Sequence, residues 1–245
     1  MTRITALARS VLFWTFLPVV AAQGLRLRRT APRLAAAAGE SCGRVGSGRA
    51  LRVLAIGDSI VAGVGAATLD RALVGCTARA LAETMDAAVE WEARGRSGAT
   101  AAEVLSELLP LIDPRPADAI VVSVGVNDVT ALSTIRAWRA NLLALVAALQ
   151  EHSPAAVIVV AGLPPLRSFP LIPEPLRRLI GLRGDSIDAA SRDALRERAG
   201  VFHVSVVFNL REGSFCADGF HPSEASYAEF GEAMAAFIAT HLARP

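Results

Sequence analysis

The chain reads as one α/β domain, a three-layer α/β/α sandwich around a five-stranded parallel sheet, and three observations predict it. Its apolar runs are short and rich in valine and isoleucine, as strands buried on both faces are. Stretches of helical period separate these runs. The connections are as long as helices, which parallel neighbours require and hairpins do not. Strands are expected in order at Leu51–Gly57 (LRVLAIG), Val89–Ala93 (VEWEA), Ala119–Val124 (AIVVSV), Ala156–Ala161 (AVIVVA) and Val201–Phe208 (VFHVSVVF). Helices are expected at Leu69–Met85, at Ala101–Leu109 behind a Thr100 cap, at Ser133–Glu151, at Ser186–Ala199 behind an Asp185 cap, and at Ser223–Leu242.

The segment ahead of Leu51 differs in kind. Arg3 and Arg9 precede the apolar run Val11 to Ala22, 12 residues long, where a spanning helix needs about 20. Three readings are open. The run fits a secretory signal with Ala21 and Ala22 at a cleavage site. It fits equally a membrane-surface anchor spanning residues 11–29, with Phe13, Trp14, Phe16 and Leu17 in the interface and the arginines that follow on anionic headgroups. The third is an ordinary terminal helix. Residues 1–34 are therefore expected as a signal or anchor segment, which makes the protein exported or membrane-associated. Residues 35–50 (AAAAGESCGRVGSGRA) read as a flexible linker, and 51–245 as the folded domain.

Of the 245 residues 53% are apolar, ample for a core. A net charge of +2 with 5% aromatics offers neither the basic surplus nor the stacking platform that nucleic acid demands. No nucleic-acid partner is expected. Every cation is arginine, which excludes chemistry built on a lysine amine, the P-loop and the pyridoxal Schiff base included. Cys42, Cys76 and Cys216 are odd in number and lack metal spacing, so they read as unpaired thiols. His152, His203 and His241 likewise have no second ligand nearby in sequence. No metal or organic cofactor is expected.

In an open parallel sheet the ligand binds beyond the carboxyl ends of the strands, and four such ends carry glycine with polar groups. They are Gly57-Asp58-Ser59 after the first strand, Ser97-Gly98 after the second, Gly125-Val126-Asn127-Asp128 after the third, and Asp218-Gly219-Phe220-His221-Pro222 after the fifth. Together these are the parts of an acyl-transfer site. A serine hydroxyl needs a base to take its proton, and histidine is suited to take and return it. Asp218, three residues before His221, can hold Nδ1–H and leave Nε2 for Ser59. The Ser59 and Gly98 backbone N–H groups and the Asn127 amide would form the oxyanion hole. Asp58 reads as a structural residue of the loop and Asp128 as a cap of the helix that follows. Gly63-Val64-Gly65 lacks the third glycine of a dinucleotide fingerprint. The G-x-S-x-G nucleophile elbow is absent too.

These motifs resemble those of the SGNH/GDSL hydrolases, whose name lists the serine, glycine, asparagine and histidine found here as Ser59, Gly98, Asn127 and His221. The likeness extends over about residues 51–240. The resemblance implies a flavodoxin-like five-stranded parallel sheet and esterase, thioesterase, lysophospholipase, arylesterase or carbohydrate deacetylase activity. The leucine of the name is Ile60 here, and the Gly-Tyr that often follows the histidine block is Ser226-Tyr227. Neither departure touches a reacting atom.

The expectation is a serine hydrolase working through an acyl-enzyme on Ser59, on carboxylic esters of short or medium acyl chains or on lysophospholipids. Rivals are a carbohydrate O-deacetylase with the same motifs, a non-catalytic flavodoxin-like binding module, and an N-terminal membrane adaptor with an incidental domain. The segment Leu163–Gly184 is longer and more apolar than a loop needs to be. Leu166, Phe169, Leu171 and Ile172 in it are expected as an apolar lip for the acyl chain; a small helix from Glu174 to Ile180 capping the sheet is the alternative.

Overall fold

The computed structural model describes residues 18–27, 29–30, 32, 34–205 and 211–242. Its sheet contains β1 (Cys42–Val45), β2 (Arg49–Gly57), β3 (Ala87–Gly95), β4 (Ala119–Ser123), β5 (Val157–Ala161) and β6 (Val201–Val204), in the spatial order β1-β3-β2-β4-β5-β6. Strands β2 to β6 are mutually parallel, and only β1 runs antiparallel, along β3. The parallel part has the doubly wound order in which the first strand lies between the second and third, and its switch point falls between β2 and β4. Ser59 and Asn127 follow these two strands.

The two layers of helix follow from the strand period. In β2, Val53 and Ala55 point to one side and Leu54 and Ile56 to the other, all within 1% of full burial. The first face packs on α1 (Leu73–Met85) and the last helix, α6 (Glu224–Leu242), through Leu73, Leu81, Tyr227, Met234 and Ile238. Against the second lie α2 (Ala101–Glu103), α4 (Ile135–His152) and α5 (Leu176–Leu195), which bring Ala101, Trp138, Leu142, Leu145, Leu149 and Ile187. The short α3 (Val126–Thr130) links β4 to α4.

Three expectations are corrected. Residues 35–50 are not simply a linker, because Cys42–Val45 pairs with β3 and completes the sheet edge. The small residues allow it: Gly43 lies on the Trp91 indole, where a Cβ would collide. Asp185 caps nothing, since α5 begins at Leu176 and continues through it. Gly181 and Gly184 look like helix breakers, yet a Cβ on them would stand 2.9 Å from the Arg167 Cβ and 3.1 Å from Leu166. They are small because the 3-10 turn Leu166–Ser168 crosses α5 there. The Thr100 cap forms as a reciprocal box with Glu103, but only Ala101–Glu103 is α-helical; Val104–Leu108 widens to a π turn and Leu109–Leu111 tightens to 3-10.

The expected fifth strand stops at Val204, and its last residues lie outside the described ones. So do residues 1–17 of the N-terminal segment. Residues 18–27 are helical, and the Gln23 side chain joins them to the start of α5, donating to the Glu174 carbonyl (2.6 Å) and accepting from Leu176 N (3.2 Å). No described helix is long and apolar enough to cross a membrane.

The last helix is fastened to the loop behind the candidate nucleophile. Tyr227 is fully buried, and its hydroxyl donates to the Val64 carbonyl at 2.8 Å. Tyr227→Phe removes the donor and strands a buried acceptor, so denaturant unfolding should register a loss of about 1–3 kcal/mol.

Candidate active site

At the end of β2 the chain turns sharply. Asp58 N donates to Ser123 O of β4 at 2.9 Å, and the turn closes through Ala62 N to Asp58 O and Val64 N to Ser59 O, both 3.0 Å. The Gly65 backbone (φ 101°) then lies against Pro222 O, so close that any Cβ would collide, with Cys216 Sγ at 3.3 Å from that position. Gly65, which could be mistaken for part of a cofactor loop, is thus where the serine loop meets the histidine loop.

That second loop leads into α6. Cys216 N donates to His221 O (2.9 Å) and Gly219 N to Cys216 O (3.0 Å), folding residues 216–221 into a compact turn. Inside it Asp218, 4% exposed, receives Phe220 N (2.8 Å), His221 N (2.9 Å) and the Cys216 thiol (3.1 Å) on Oδ1. His221 Nδ1 lies 2.6 Å from Oδ2, and Nε2 lies 3.0 Å from Ser59 Oγ. Burial pushes the Asp218 carboxyl up, but the bonds from His221, Cys216 and Phe220 outweigh it and hold it below the usual carboxylate range. An ionised Asp218 only accepts, which places the proton on Nδ1 and leaves Nε2 to accept from the serine.

Residues 59, 127, 218 and 221, remote in the chain, therefore meet at the carboxyl edge of β2 and β4. Among the described residues no acceptor takes the backbone N–H of Ser59 or of Gly98. Asn127 Nδ2 donates to Ala99 O at 2.9 Å, which ties the Gly98 loop to α3 and leaves a second amide hydrogen. Gly98 is exposed, in the left-handed region (φ 83°). Ser59 and Asn127 both line the cavity described below, and their unspent N–H donors can bind an anionic oxygen there; Gly98 sits on the loop that Asn127 holds.

Two further carboxyls lie behind the serine. Asp58, 2% exposed, receives Ile60 N (3.1 Å). Burial, opposed by that bond and by the backbone amide of Asp58 itself and reinforced by the negative charge of Asp128, pushes it up to about 7. Asp128 is also raised, chiefly by burial. It does not cap the helix after it. Its carboxylate takes Ala101 N (3.0 Å) and Ser133 Oγ (3.3 Å), so it starts the preceding helical stretch and spans the gap between the Gly98 and Asn127 loops.

A cavity opens on Ser59, Asn127 and His221, walled by Leu163, Pro164, Phe169, Phe215, Phe220 and Phe230 among others. Four of the nine phenylalanines in an aromatic-poor chain gather here. Phe169 meets Phe215 and Phe220 edge to face (5.0 and 5.2 Å between centroids), and Phe220 meets the His221 ring likewise at 5.1 Å. Of the four expected lip residues only Phe169 lines this cavity. Leu166 and Ile172 are 2% exposed in the core against α5, and Leu171 turns to Gly219. Most of the apolar run seats a helix instead of forming a surface. Phe215, Phe220 and Cys216 were missed, although their places beside Asp218 and His221 were the available signal.

A serine, histidine and aspartate in relay at the edge of a parallel sheet, without a nucleophile elbow, define a serine hydrolase outside the α/β-hydrolase architecture. The chain belongs to the GDSL-like lipase/acylhydrolase family, whose model matches residues 55–229. A GDSL-like esterase of Mycobacterium tuberculosis is 31% identical over 186 residues, which cover 73% of this chain and 58% of that protein. The chain thus spans less than two thirds of that relative. Among solved structures, the lipase Lip_vut3 from a goat rumen metagenome superposes with a TM-score of 0.61 at 19% identity, covering 76% of this chain and 96% of that one. A family 3 carbohydrate esterase of Clostridium thermocellum gives 0.60 at 17%, covering 79% and 98%. Both share the fold. Membership of the family thus rests on the sequence match, and the fold agrees with it.

Two outcomes test the electrostatics. Because the fold raises the Asp58 pKa from the ordinary 3.8 to about 7, stability is full below pH ~4 and is lost as the pH rises through about 7. Asp58→Asn should flatten urea-unfolding free energies across that window and exceed the wild type by a few kcal/mol above it, to order of magnitude. Cys216→Ala deprives Asp218 of one donor, leaving a carboxylate that attracts imidazolium more strongly. The acid limb of kcat/KM should move up by as much as about one pH unit, and Cys216→Ser should restore it.

Proposed function

We propose that Ser59 is the nucleophile of an esterase that works through an acyl-enzyme, with His221 as base and then acid and Asp218 as its orienting group. The 3.0 Å contact between Ser59 Oγ and His221 Nε2, backed by the 2.6 Å contact to Asp218, carries this reading. In the first half-reaction Oγ bonds to the ester carbonyl carbon and its proton passes to Nε2. The tetrahedral oxyanion is met by Ser59 N–H, Gly98 N–H and the Asn127 amide. Nε2 returns the proton to the departing alkoxide, and the acyl–oxygen bond of the ester breaks. A water then gives a proton to Nε2 and bonds to the acyl carbon; the Oγ–acyl bond breaks, Nε2 hands its proton to Oγ, and the acid leaves with Ser59 and His221 restored.

The substrate class follows from the cavity. Its walls are aromatic and aliphatic, and the space free to water-sized occupants is about 50 Å³, a few waters at ~10–15 Å³ each. That favours a carboxylic ester of short acyl chain. Among the described residues the hydrogen-bonding groups of the lining are those around Ser59 itself, and the outer walls are apolar, which favours an acyl group over a sugar ring; an acetyl group carried on a sugar meets the acyl side equally well. Lysophospholipid hydrolysis would need the acyl chain to pass Phe169. Residues 1–34 are proposed as a signal or anchor that brings the domain to a membrane through residues 11–29, of which 11–17 and 28 lie outside the described residues.

A fluorophosphonate probe should label the wild type and not Ser59→Ala, whose kcat should fall by at least about 10⁴-fold; no labelling at all would leave only a binding module. Asn127→Ala should cost about 10²–10³ in kcat. On p-nitrophenyl esters of rising acyl length, tested beside acetylated sugars and lysolipids, acetate and butyrate should lead. Phe169→Ala should move that preference to longer chains, and an unmoved preference would remove Phe169 from the acyl site.

A further inference from the structure

Leucine 132 stands where the backbone asks for glycine. It follows α3 at the left-handed position (φ 59°) of a helix end closed by Leu132 N to Val129 O and Ser133 N to Asp128 O, and it is 72% exposed. A bulky apolar side chain held in a strained conformation and in water is informative, since glycine or asparagine would serve the turn at less cost. Its neighbours extend the pattern. Arg183 of α5 donates to the Val129 and Ser133 carbonyls, fixing this turn to α5. Over the helical turn that ends at Leu182, α5 exposes Arg178, Leu179 and Leu182 along one stripe, the two leucines 38% and 56% exposed. Ile135, at the start of α4, is exposed beside the same turn.

Charge singles out this surface from the rest. The described residues of segments 18–34, 129–143 and 163–185, which adjoin through the Gln23 and Arg183 contacts, hold eight arginines against two acids, Glu174 and Asp185. They carry six net positive charges in a chain whose total is +2. Both acids are already paired, with Arg177 and Arg167. Arg136, Arg139 and Arg178 are exposed and make no ion pair among the described residues. Apolar side chains interleaved with unneutralised arginines match an interface of acyl chains beneath anionic headgroups, where each arginine adds attraction and each leucine buried area.

We propose that the Leu132 turn and the Arg178–Leu179–Leu182 stripe of α5 dock on an anionic phospholipid surface, beside the cavity that Val126, Asn127 and Phe169 line. This surface is distinct from residues 11–17, and its docking does not depend on the reaction at Ser59. The whole chain should sediment with phosphatidylglycerol vesicles, less so as salt rises, and not with phosphatidylcholine vesicles. Reversing three charges together (Arg136→Glu, Arg139→Glu, Arg178→Glu) should weaken that binding at least about tenfold. Thermal melting followed by circular dichroism checks the fold of this variant. Leu182→Trp, in an otherwise native chain, should be quenched by brominated phosphatidylglycerol beyond the quenching of the wild type. Unchanged affinity of the charge variant together with an unquenched indole at 182 would assign all binding to the N-terminal run and overturn the proposal. A dimer dispersed by Leu179→Ser with Leu182→Ser, without vesicle binding, would overturn it as well.

Discussion

A carboxylate taken out of water and still kept ionised is the interaction on which the site depends. Asp218 can stay charged inside the protein because two backbone amides, a thiol and an imidazole N–H converge on its two oxygens. Were it protonated, Nδ1 would lose its acceptor, and the tautomer that presents a bare Nε2 to Ser59 would lose its support. The turn 216–221 exists to make that convergence. Its own hydrogen bonds aim the amides inward, and Gly65 lets the serine loop approach it to contact distance.

Asp58 shows the reverse solution in the same few ångströms. It lies deeper than Asp218 and has fewer donors, so desolvation prevails and the carboxyl loses its proton only near neutral pH. A full negative charge directly behind the serine opposes both loss of the Oγ proton and development of an oxyanion, and the raised pKa reduces that charge below neutral pH while Ile60 N still holds the turn. Environment, rather than residue type, divides these two carboxyls between structure and chemistry.

Much of this was legible in the sequence, and the reason is periodicity. Strands buried on both faces leave unbroken Val/Ile runs, and Ser59 and Asn127 stand just after two of them; Asp218 and His221 lie well beyond the end of β6 and were legible from their own spacing and the glycine turn between them. The reading weakened wherever glycine has two meanings. In Gly43 it signals backbone flat on an indole, and in Gly181 and Gly184 it signals helix crossing turn, while composition reports only flexibility in each case. The lip failed for a related reason: Leu166 and Ile172 are apolar because they seat α5, and hydrophobicity does not tell a core-facing side from a ligand-facing one. Cys216 was hidden because a thiol donating to a carboxylate has no sequence spacing of its own.

The aromatic wall belongs to the same electrostatic design. Phe220 lies between Asp218 and His221 in the chain, so the turn that orients the base also lays a ring against it, and Phe169 and Phe215 close over that ring. Water displaced from this side lowers the local dielectric, which strengthens the short bond from Nδ1 to Asp218 and the pull of the three N–H donors on an oxyanion. The same rings shrink the space left for an acyl chain. On the proposed reading, a preference for short acyl chains and a tightly held Ser59–His221–Asp218 relay are thus two consequences of one packing arrangement, and widening the cavity would weaken the field around the serine.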